Sequence, residues 1–145
     1  QEMPDFLPDR AEPGTHNIPG IAGLLEGLRF VRRLGPETIA RREHHLLRQL
    51  GEGLREMPGV QAFYDPDGTN QAGVLSFLIP GRDCEEVGEA LADRGFALRA
   101  GLHCAPLAHR TAGTLDTGTV RASLSAFSRE WEVDRFLRAV QAMAR

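Results

Sequence analysis

Thr119-Val120-Arg121-Ala122-Ser123-Leu124-Ser125-Ala126 alternates strictly between polar and apolar side chains. A period of two marks a strand with one buried and one wetted face. Val120, Ala122, Leu124 and Ala126 take one face; Arg121, Ser123 and Ser125 take the other. Phe96 to Ala100 repeats the pattern, with Phe96 and Leu98 opposed to Ala97 and Arg99. Two more strands are predicted upstream, Val60 to Tyr64 and Gly73 to Ile79, around the turn Asp65-Pro66-Asp67-Gly68. In the second of these, Leu75, Phe77 and Ile79 alternate against Val74, Ser76 and Leu78. Strands covered on both faces read as continuous apolar runs, and these do not. The expected fold class is therefore α+β: a mainly antiparallel four-stranded sheet with helices packed on one face.

Helical spacing supplies the rest. Residues 1–17 read as an irregular entry segment, broken by Pro4, Pro8, Pro13 and Gly14. Asn17 can cap a helix carrying Ile21, Leu24, Leu25, Leu28 and Val31, with Pro19 in its first turn. Gly20, Gly23 and Gly27 along it suggest close packing against something bulky. Gly35 ends this helix, and Pro36 opens a second one from about Glu37 to Glu56, with Ile39, Leu46, Leu47, Leu50 and Leu54 as its stripe. His44 and His45 are adjacent, so they cannot form an i, i+4 metal pair and read as surface residues. Asp83 can cap a third helix, with Cys84 in its first turn and Gly95 past its end. Residues 101–118, holding three glycines, read as a loop. Ser128 is the predicted cap of a last helix with Trp131, Phe136, Leu137, Val140 and Met143 inside and Val133 near the edge. Residues 18–145 are thus expected to form one small domain.

Composition excludes several classes. With 41% hydrophobic and 26% charged residues, the chain is neither disordered nor membrane-embedded, and no apolar run approaches the roughly 20 residues that span a bilayer. A net charge of -3 argues against general nucleic-acid binding. The acidic, proline-broken start does not read as a signal peptide, and two cysteines do not make a secreted scaffold, so a cytoplasmic location is expected. The opening in mid-loop, without an initiator methionine, suggests a piece of a longer protein. All 17 basic Lys+Arg residues are arginine, so no Schiff-base lysine exists in these residues.

Chemistry concentrates in Arg99-Ala100-Gly101-Leu102-His103-Cys104-Ala105-Pro106. A nucleophilic cysteine needs a mobile mount and positive charge nearby, because the thiolate is the attacking species. Arg99 and Arg121 sit at comparable points of two strands, each opposite the apolar face. If those strands are neighbours, both guanidiniums project from a sheet face with no helical cover and suit bidentate carboxylate binding. Cys84 has a helix N-terminus in its favour, but Asp83, Glu85 and Glu86 disfavour its anion. His103 either tunes the thiol, contacts substrate, or orients the loop through a backbone hydrogen bond. His109 lacks two further ligands nearby, and no metal site is expected.

Three stretches in order resemble the C-terminal part of cysteine desulfurases, pyridoxal-phosphate (PLP) enzymes of fold-type I in the class V aminotransferase group. They are Glu12-Pro13-Gly14-Thr15-His16-Asn17, the Arg99–Pro106 run with Gly118-Thr119-Val120-Arg121-Ala122-Ser123, and Ser128-Arg129-Glu130-Trp131-Glu132-Val133-Asp134. The resemblance implies the small domain of such an enzyme, with roles assigned by position. Cys104 matches the cysteine that attacks the substrate sulfur and carries a persulfide. Arg121 matches the carboxylate-binding residue, with Arg99 and His103 also near substrate. Thr15 matches a residue reaching a phosphate oxygen of the PLP held by the partner subunit. It further implies L-cysteine as substrate, a homodimer, a sulfur-acceptor protein and a compact, ordered cysteine loop. The missing lysine means that no covalently bound PLP is expected on these residues, and that alone they are inactive. Two other readings stay open: a class V aminotransferase or selenocysteine lyase domain, and a non-catalytic dimerisation or sulfur-acceptor module.

Overall fold

A computed structural model describes residues 3–12, 14–67 and 71–144. Pro13 and Gly68, both part of predicted turns, lie outside them. The chain divides into two compact units, Gln1–Pro36 and Glu37–Arg145.

The first unit holds a short 3-10 helix, Asp9–Ala11, and helix α1, Ile18–Leu34. Asn17 caps α1 as predicted, its side chain accepting the Gly20 N–H at 3.0 Å, and Gly35 ends it at φ +83°. The expected bulky neighbour of the α1 glycines is not found among the described residues. A Cβ on Gly23 or Gly27 would meet open space, and no α1 residue is buried. The close glycines belong to the next helix instead: a Cβ on Gly53 would run into the Leu137 side chain, and one on Gly51 into the Tyr64 ring.

In the second unit the elements run α2 (Pro36–Arg55), β1 (Gln61–Phe63), β2 (Val74–Leu78), α3 (Cys84–Ala92), β3 (Arg99–Gly101), α4 (Pro106–Ala112), β4 (Thr119–Ser123) and α5 (Glu130–Met143). All strand pairs are antiparallel in the order β1-β2-β4-β3. The last strand thus inserts between β2 and β3, and α3 carries the chain across. Leu75, Phe77, Val120 and Ala122 point into one core with Leu46, Leu47, Leu50 and Leu54 of α2, Val87 and Leu91 of α3, and Val133, Phe136 and Val140 of α5. Phe136 meets both Phe77 and Phe96 edge to face, at 5.8 and 5.3 Å between ring centroids. The single-face alternation is realised in this packing.

Four local expectations change. Residues 101–118 are not all loop: α4 begins at Pro106 and ends at Gly113, a left-handed cap at φ +71°. Proline at the first helical position and glycine just past the end are the reasons it forms there. Ser128 does not cap α5; its hydroxyl accepts the Ser125 N–H at 3.0 Å. The Glu132 carboxylate instead accepts the Arg129 N–H at 2.8 Å. Trp131 is 51% exposed while Val133 is buried, because Val133, Phe136 and Val140 form the inward stripe and Trp131 falls outside it.

Candidate functional site

The register decides how the two arginines meet. Arg99 lies directly opposite Arg121, which lies opposite Ser76, which lies opposite Phe63. These four form one row on the face away from the helical core. Like charges directly opposite each other on a sheet repel. Among the described residues neither arginine has a carboxylate partner within ion-pair distance. Arg99 is exposed; Arg121 is half-buried, and its Nε is buried without a hydrogen-bond acceptor among the described residues. Two uncompensated guanidiniums side by side, one with a starved donor, make a receptor for an anion, and their planar forks suit a carboxylate.

The next row places Thr119 opposite Gly101. There the chain leaves the sheet. His103 and Cys104 both have positive φ, +52° and +59°, and the Ala105 N–H donates to the Leu102 carbonyl at 2.8 Å. Two left-handed central residues closed by that bond have the φ pattern of a type I′ turn, which favours Asn and Gly. Histidine and cysteine there cost on the order of 1–3 kcal/mol each. The ties offsetting that cost are worth about 0.5–1.5 kcal/mol apiece. One is the Ala105 bond. Another is His103 Nε2, 3.1 Å from both the carbonyl and the Oγ1 of Thr119.

Because a carbonyl only accepts, the Thr119 contact places the proton of neutral His103 on Nε2. Its Nδ1 is then an acceptor, buried and without a donor among the described residues. Burial first, then the Arg121 charge, then His109 and Arg99, hold the imidazole below its ordinary pKa, against the Thr119 bond. Of the three roles left open for His103, the loop-orienting bond to backbone is present.

Cys104 is exposed on this turn, whereas Cys84 is buried under the sheet end. Burial raises the Cys84 pKa, and Asp83 and Glu85 add to the rise against a lowering backbone hydrogen bond from Gly101. The sulfur fills the angle between the two ends of the loop. A Cβ on Gly118 would lie 2.8 Å from Cys84 Sγ and 3.1 Å from Gly101 Cα. Gly101 and Gly118, at φ +102° and +61°, therefore touch where the loop departs and returns.

The arginine face was expected to lack a helix, and α4 changes this. Phe63, Ser76 and Thr119 of the sheet and Ala108, His109, Ala112 and Thr114 around α4 line one cavity of about 180 Å³. His109, expected on a loop, is buried on α4 and hydrogen-bonded through Nδ1 to Thr114. Sequence reasoning missed this residue. Its signal was the Pro106-to-Gly113 bracket, which makes it helical. Thr15 is exposed in the first unit. No group of three or more potential metal ligands occurs among the described residues.

A family model for class-V aminotransferases matches residues 4–136. The chain belongs to this family. It is 45% identical over 139 residues to a probable cysteine desulfurase of Mycolicibacterium paratuberculosis, covering 94% of this chain and 19% of that protein. A cysteine desulfurase of Synechococcus elongatus is 39% identical over 136 residues, covering 92% and 21%. Among solved structures, the apo cysteine desulfurase of Thermococcus onnurineus superposes with a TM-score of 0.86 at 36% identity, covering 94% of this chain and 34% of that one. CsdA of Escherichia coli, a cysteine desulfurase, gives 0.78 at 29%, covering 89% and 31%. This member of the class-V family thus spans from a fifth to a third of the length of these relatives.

Proposed function

We propose that this chain is the nucleophile-bearing small domain of a PLP-dependent cysteine desulfurase, preceded by an entry segment over residues 1–17. The observation that carries the reading is the juxtaposition of an unpaired arginine row with an exposed cysteine on a strained turn. Arg121, with its starved Nε, takes the carboxylate of L-cysteine, and Arg99 supports it from the neighbouring strand. His103 lines the same approach and holds the turn on Thr119. The Cys104 thiolate attacks the substrate sulfur. A sulfur–sulfur bond forms and the substrate carbon–sulfur bond breaks. The electron pair stays with the three-carbon product, which takes up a proton and leaves as alanine, and Cys104 is left as a persulfide.

PLP, when bound, supplies the electron sink for this bond cleavage. The donor set fits a partial role. An exposed Thr15 hydroxyl suits a phosphate oxygen of the PLP in the partner subunit of a homodimer. With no lysine among the 145 residues, the covalent seat is not on them. The persulfide passes to an acceptor protein or reductant. Free thiols and no helix long and apolar enough to cross a membrane, among the described residues, suit work in the cytoplasm.

The test uses the full-length protein with PLP and L-cysteine. Alanine should appear in step with a persulfide mapped to Cys104, and Arg121→Ala should raise KM for cysteine by about a hundredfold, the loss of a charge-assisted pair. Alanine at the wild-type rate from Cys104→Ser overturns the assignment. Turnover of selenocysteine alone would move it to a lyase, and amino transfer without sulfur release to a transaminase.

A further inference from the structure

We propose that His109 is a positioning residue for Cys104, acting through the neighbouring His103 ring. This rests on the reading of Cys104 as the sulfur-carrying nucleophile.

The three buried polar side chains among the described residues are His109, Thr114 and Thr119. All three belong to one network beside the Cys104 turn. The His109 Nδ1 lies 2.8 Å from Thr114 Oγ1 and 3.3 Å from the Thr114 carbonyl, so an Nδ1–H donating to both satisfies the geometry. The His109 and His103 rings stand 5.6 Å apart between centroids, tilted by 42°. His103 in turn grips Thr119 on β4. Along the backbone, the His109 N–H donates to the carbonyl of Ala105, the residue after Cys104. The turn is thus held from both sides: by the His103 ring on the strand, and by α4, whose last turn His109 locks onto Thr114.

Packing alone does not ask for this. A buried polar group matches an apolar one only when fully paired, so a leucine would serve a simple plug as well or better. The cavity of about 180 Å³ beside His109 also leaves the ring room to shift if its Thr114 bond is lost. What the network supplies is orientation of a turn that two left-handed residues would otherwise abandon.

The experiment takes the PLP-loaded full-length protein with three sequences: wild type, His109→Ala and Thr114→Val. Thr114→Val keeps the size and removes only the hydroxyl, so it decides the matter if His109→Ala does not fold. Both variants should lower kcat for persulfide formation by about tenfold or more while KM for L-cysteine stays within about twofold, since both arginines are untouched. Hydrogen exchange at the Ala105 amide should speed up by about tenfold, since it reports opening of the turn. Folded variants with wild-type kcat and wild-type Ala105 protection overturn the proposal, as does a rise in KM with kcat unchanged. If the wild type forms no Cys104 persulfide, the nucleophile reading fails, and the exchange rates still decide whether His109 holds the turn.

Discussion

Cys84 and Cys104 differ in burial more than in their distance along the chain. A buried thiol with a raised pKa, flanked by Asp83 and Glu85, stays protonated at neutral pH and out of reach of reagents. Iodoacetamide at about pH 7.5 should therefore label Cys104 at least about tenfold faster than Cys84, read by peptide mapping. Faster labelling of Cys84 would mean that the turn thiol is not the reactive one. His103 gives a second residue-level expectation, this time in pH. Its folded pKa is lowered, so the unfolded chain binds the proton more readily. Its contribution to stability is complete above the unfolded value of about 6.5 and is lost as pH falls below it toward the folded pKa. Melting temperatures of wild type and His103→Gln should share one pH slope above about pH 7 and diverge between about 6.5 and 5, the wild type falling faster. Parallel curves throughout would remove His103 as the titrating group. The face of each arginine was legible in the sequence, because period two assigns it. Their direct opposition was not, because it depends on β4 inserting between β2 and β3, a long-range choice that no local pattern encodes.

Among the elements, the loop over 101–118 shows where local signals were present and outvoted. Three glycines suggested irregular chain, yet only Gly113 ends a helix; Gly101 and Gly118 serve the sheet edge. Their close approach yields a comparison between glycines. Gly118→Ala adds a methyl against backbone and Cys84 Sγ at φ +61° and should cost about 2–4 kcal/mol in urea unfolding. Gly113→Ala, at φ +71° with open space around it, should cost only about 1 kcal/mol. Equal losses would show that φ alone matters and that the contact does not. Helix α5 gives the complementary lesson. Its polar links to α2, Gln49 to Asp134 at 2.7 Å and His45 to Glu130 at 3.1 Å, fix its rotation along with the apolar stripe. The predicted stripe placed Trp131 inside; the spacing of Val133, Phe136 and Val140 places it outside.

At the scale of the whole molecule, the chain carries two opposed arginines and an exposed thiol but no lysine, and it spans a fifth to a third of its cysteine desulfurase relatives. Borohydride treatment of the PLP-loaded full-length protein should therefore place every trapped adduct on peptides outside these 145 residues; an adduct on an internal residue of this chain contradicts the assignment. The sheet class and the four longer helices were readable because alternation and helical spacing are local, whereas the short α4 was read as loop. The division at Pro36–Glu37 was not, because α1 and α2 show equally regular stripes and only packing separates them. The contact between Gly101 and Gly118 has one more consequence. It closes the neck of the loop, so Cys104, three residues beyond Gly101, rides on a short leash. Under the function proposed above, a sulfur carried by this thiol would have almost no delivery range, and its recipient would have to come to the turn to collect it.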